Sequence, residues 1–106
     1  MAPKRPTGLS ELASFGFTEL EKALTNLEEL VSLVGDSGRP ALAHVSKSQD
    51  PDQSLELLIR LARNHKTETK SVLHGQDSSE RLCLVLGASV ALFEFLDRNP
   101  ENLKIF

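Results

Sequence analysis

From residue 82 to residue 93 twelve consecutive positions carry no charge, inside the stretch "RLCLVLGASVALFEFLDRNP" at 81–100. A helix that spans a membrane needs about 20 predominantly apolar residues, so a run of twelve must be covered by protein instead. Gly87 and Ser89 interrupt the run. Glycine can take the positive φ that ends a helix, and serine can cap the next one. The expectation is therefore two helices joined by a tight Gly-Ala-Ser corner in the core. Residues 81–86 are apolar on nearly all sides, so the first of the two should be buried from more than one direction.

Composition decides what surrounds that run. A chain of 106 residues can build one compact core but not two. Hydrophobic residues make up 40% and charged residues 25%, a globular balance. All five aromatic residues are Phe, so aliphatic side chains must fill the core. Twelve basic residues against fifteen acidic ones leave a net charge of −3, which argues against a nucleic-acid partner. Cys83 is the single cysteine; a buried, reduced thiol fits it, and with no intramolecular disulfide the expected compartment is a reducing cytoplasm. The head "MAPKRPTG" has no apolar stretch behind it and does not read as a secretory signal. Residues 1–8 are expected to be a disordered leader and 9–106 a single helical domain.

Helical signals recur along the chain, and strand-like alternation does not persist. "SELASF" after Gly8 can form a short helix closed by Gly16. "TELE" at 18–21 has the form of a capping box, in which the Thr18 oxygen accepts from the Glu21 N–H. Behind it Leu20, Leu24, Leu27, Val31 and Val34 form one stripe, stopped by Gly35. "DSGRPALAHVSKSQ" at 36–49 gives the weakest pattern: a helical turn after Pro40, then loop. Asp50 as N-cap with Pro51 at the first helical position starts a clear helix. Its face is Leu55, Leu58, Ile59 and Ala62, widened by Leu57 and Leu61. A short helix over 67–74 ends at Gly75, and "DSSE" at 77–80 opens the next. Ser89 caps a helix over 90–98, and Asn99-Pro100 starts a last one. The fold class is all-α: a small orthogonal or bundle-like array of five to seven short helices without a sheet.

Candidate chemistry is sparse. His44, His65, His74 and Cys83 match no metal-ligand spacing and read more simply as surface histidines beside a core thiol. "DPD" at 50–52 resembles the Asp-x-Asp that holds magnesium in nucleotidyl transfer, but no Gly-Ser precedes it, and a helix start needs acids in any case. "GDSG" at 35–38 lacks the Lys-Ser/Thr of a phosphate loop. Ser89 has no positioned base. No residue stands out as catalytic, cofactor-binding or metal-ligating, so a small enzyme complete in itself is disfavoured.

Three stretches carry a family resemblance. "LSELASFGFTELEKALTNLEEL", "DPDQSLELLIRLARN" and "RLCLVLGASVALFEFLDRNPENL" follow in order the N-terminal region of the bacterial glutamine-synthetase adenylyltransferase/adenylyl-removing enzymes. Arg81, Leu82, Val85, Leu86, Gly87, Ser89, Leu96, Arg98, Pro100 and Glu101 stand at the most specific positions. The resemblance implies a parent enzyme with two nucleotidyltransferase domains, one adding AMP from ATP to a glutamine-synthetase tyrosine and one removing it. Each uses Gly-Ser and Asp-x-Asp with Mg²⁺, and a PII-type signalling protein reports nitrogen status. This chain has no such constellation, so it would be the non-catalytic helical leader that packs on the adenylyl-removing domain, with ATP and Mg²⁺ bound elsewhere.

The last four residues include Leu103, Ile105 and Phe106, an end expected of a fragment. Either the tail folds back onto the domain, or two copies cover each other's tails as a homodimer. The competing reading is a free-standing helical adaptor that binds a partner helix through a leucine groove.

Overall fold

The computed structural model describes residues 9–106, with side chains from residue 12 onward; the leader expected at 1–8 lies outside the described residues. Seven α-helices follow one another: α1 (Leu9–Ser14), α2 (Leu20–Val34), α3 (Gly38–Ser46), α4 (Pro51–Asn64), α5 (Lys66–His74), α6 (Gln76–Ala88) and α7 (Val90–Arg98). Two 3₁₀ segments, Gly35–Ser37 and Pro100–Ile105, precede α3 and follow α7. No strand occurs among the described residues, so the fold is all-α.

The core is built around α4 and α6. Helix α4 lies between α2 and α6, and α6 also meets α3, α5 and α7. Leu55, Leu57, Leu58, Ile59, Leu61 and Ala62 are all buried, so α4 is covered over most of its circumference. Helix α6 departs from the expectation that residues 81–86 are covered from more than one direction: Ser79, Leu82, Cys83, Leu86 and Gly87 form a single buried stripe, and Leu84 on the other face is 38% exposed. Phe17 and Phe93 are the buried aromatics among the described residues, and aliphatic packing dominates, as composition required. Two polar side chains of α4 stitch it to α6: Ser54 Oγ donates to the Cys83 carbonyl at 2.8 Å and Gln53 Nε2 to the Leu86 carbonyl at 3.0 Å. The second bond meets one of the carbonyls that a helix end leaves without an intrahelical partner.

Local signals that need only neighbouring residues act as expected. Asp50 accepts from the Gln53 N–H at 3.1 Å with Pro51 in the first turn, and Ser89 accepts from the Leu92 N–H at 3.1 Å. Gly16 and Gly35 carry positive φ, 94° and 77°.

Other expectations are corrected. The Thr18–Glu21 capping box does not form. Helix α2 begins at Leu20, and Asp52 of α4 accepts from the Thr18 N–H and hydroxyl, each at 2.9 Å, and from the Glu19 N–H at 3.4 Å. Asp52 thus takes the Thr18 N–H that the box would have given to the Glu21 carboxylate. The buried stripe of α2 is Ala23, Leu27, Leu30 and Val34, with Leu20, Leu24 and Val31 on its flank. The weak stretch after Gly35 holds a nine-residue helix, α3, because Ala41, Leu42 and Val45 find cover. Helix α6 begins at Gln76, one residue before "DSSE", and Gly75 gives it no side-chain cap.

The corner also moves. Helix α6 runs through Gly87 to Ala88, and the break is the extended backbone of Ser89, with φ −151° and ψ 111°. Gly87 does not take a positive φ. Its lack of a side chain serves close approach instead: a Cβ there would collide with Ser48 and sit 3.3 Å from the Asp50 carbonyl oxygen. At the chain's other end the 3₁₀ segment packs on α5 and α7. Leu103 is buried and Phe106 packs against the core, so the tail folds back on its own chain and leaves Ile105 exposed.

Candidate functional site

The groups that could carry chemistry are dispersed. His65, at the α4–α5 corner, places Nε2 2.6 Å from the Asp97 carbonyl oxygen and 3.2 Å from Asp97 Oδ1. A carbonyl only accepts, so this nitrogen carries the proton. Asn64 Nδ2 donates to the same carboxylate at 2.9 Å. Together they anchor α7 to the end of α4. His44 is 7% exposed rather than a surface residue, with Nδ1 2.8 Å from Ser79 Oγ. Burial pushes the neighbouring Cys83 thiol up to about 12, and the Ser79 hydroxyl acts against that shift. His44 and Cys83 thus meet at one serine. His74 is exposed, and His65 is engaged with Asp97. Among the described residues no cluster of three or more His, Cys, Asp or Glu is placed to hold a metal.

The Asp-Pro-Asp pair does not fit a magnesium ion. Asp50 caps its own helix and Asp52 caps α2. The cavity of about 240 Å³ beside them is lined by Glu19, Asp50, Asp52 and Glu56 with Lys22, but no three of those acids among the described residues are placed to share one ion. The signal for Asp52 was present as an acid after the N-cap Asp50 and Pro51, but its partner is 34 positions away. In the 35–38 turn Ser37 Oγ donates to the Val34 carbonyl, a local bond. Ser89 caps α7.

An ion pair of good geometry joins α2 and α4. Arg63 Nε and Nη2 lie 2.5 and 2.7 Å from the two oxygens of Glu29. The guanidinium holds the Glu29 carboxyl below its usual value. Both side chains are partly in water, so the pair orients the helices more than it stabilises them.

The feature that most resembles a contact surface is α7. Phe93 and Leu96 face the core. Leu92 and Phe95, three residues apart and therefore neighbours on the helix, are each 48% exposed beside that stripe. Val90 is 46% exposed on its other side. The apolar arc of α7 is thus wider than the surface that the chain itself covers. No helix among the described residues is long and apolar enough to cross a membrane.

Comparison with known proteins gives one line of kinship. A protein of Leifsonia xyli subsp. xyli (strain CTCB07), named bifunctional glutamine synthetase adenylyltransferase/adenylyl-removing enzyme, is 35% identical over 95 residues. The match takes in 90% of this chain and 9% of that protein. This chain resembles part of that enzyme. It spans less than a tenth of the relative's length. No protein-family model matches the chain, and no solved structure does.

Proposed function

We propose that this chain is a non-catalytic helical segment of an enzyme that adenylylates and de-adenylylates glutamine synthetase. The observation that carries the reading is the 35% identity over 95 residues, which takes in 90% of this chain rather than one short motif. In this reading the segment is the N-terminal leader, and 9–106 is one helical domain ahead of the adenylyl-removing domain. AMP addition to, and removal from, the glutamine-synthetase tyrosine take place outside it, with ATP and Mg²⁺ held there. A PII-type signalling protein is the regulatory partner of the whole enzyme, which works in the cytoplasm.

The segment's own task is to pack. Leu92 and Phe95 on α7 supply an apolar ridge whose burial against the adenylyl-removing domain would recover about 1.5–3 kcal/mol for each large side chain covered. A free-standing adaptor would use the same ridge on a separate partner, and that is the second reading.

Complementation separates the two. The Leifsonia enzyme lacking its matching 95 residues is mixed with this chain, and removal of AMP from adenylylated glutamine synthetase is followed. Restored activity, lost again with Leu92→Asp plus Phe95→Asp, is the expected result. A soluble, folded remainder that neither binds the chain nor gains activity from it would overturn the proposal. In the gene, a reading frame that continues into Gly-Ser followed by Asp-x-Asp is expected; a stop directly after Phe106 would favour the adaptor.

A further inference from the structure

We draw no further inference here: the strongest candidate, the open depression of about 760 Å³ between the end of α2, α3 and the α5–α6 corner, sets Lys70 against Asp36 and, among the described residues, holds no group of side chains placed to bind a metal, so nothing in the structure shows what would fill it.

Discussion

Helices α6 and α7 come from one apolar run and meet opposite fates. In α6, Leu82, Cys83 and Leu86 are fully buried between α3, α4 and α5. In α7, five residues further on, Leu92 and Phe95 remain half exposed although they are no less apolar. Hydropathy reports how favourable burial would be, and the neighbours decide whether it happens. Helix α6 meets α3, α4, α5 and α7 and leaves only Leu84, at 38%, among its exposed large apolar side chains; α7 meets α4, α6 and the last 3₁₀ segment. An apolar residue without a partner is then a surface available for binding, which is how the function proposed for α7 arises.

The contrast can be broken most directly by truncation. Leu86→Ala removes a side chain with no exposure and should destabilise by about 2–5 kcal/mol, whereas Leu92→Ala should stay within about 0.5 kcal/mol. Urea unfolding measures both, and equal values would show that α7 is covered in solution. Next in size is Gly87→Ala. The added methyl must displace the Ser48 side chain, whose Cβ and Oγ it would meet, an overpacking cost of about 1–3 kcal/mol. An unchanged midpoint would mean that the approach of α6 to the α3–α4 loop is looser than the structure shows. Smaller again is Ser89→Ala, which removes the α7 cap and should cost about 1 kcal/mol. Hydrogen exchange should quicken at Leu92 and leave Leu86 protected; equal acceleration would mean that the two helices open as one unit.

Two titrations give the smallest effects. The Cys83 thiol is raised by burial, so the folded state holds its proton where the unfolded chain has lost it. Its contribution is full below the unfolded value of 9.0 and is lost as pH rises from there toward about 12. A thiol reagent at pH 8 should react with Cys83 only as fast as the protein opens, and urea should accelerate labelling. Glu29 has the opposite sign. Its carboxyl is lowered by the Arg63 hydrogen bonds, so its contribution is full above the unfolded value of 4.5 and fades as pH falls through the lower folded value. Glu29→Gln should flatten the acid limb of the melting curve slightly, and salt should do the same to the parent protein.

Some of this was legible because it is local. Asp50-Pro51 and Ser89 mark helix starts through bonds that span three residues, and the α4 face reads directly from its leucine spacing. Thr18 misled for the complementary reason: its hydroxyl had a local role available, but it donates instead to Asp52, 34 positions along the chain, at 2.9 Å. The role of Gly87 was visible only as an interruption, since the Ser48 turn that demands a missing side chain is 39 positions away in sequence. Helix α3 was underread because its turn signals at Gly38 and Pro40 outweighed a short apolar pattern that packing rewards. Ser79, whose hydroxyl lies 2.8 Å from His44 Nδ1 in the interior, carried no signal at all.

By itself, then, the amino-acid sequence determined the helical class, where most helices start and stop, and the absence of a Gly-Ser/Asp-x-Asp pair from these 106 residues. Those properties follow from backbone hydrogen bonding and side-chain type within a few positions. Tertiary structure decided which apolar faces are covered, which glycine is needed for closeness rather than for φ, and which histidine is buried against a serine. Each of those depends on atoms brought together from tens of residues apart, and a linear pattern does not encode the distance between them.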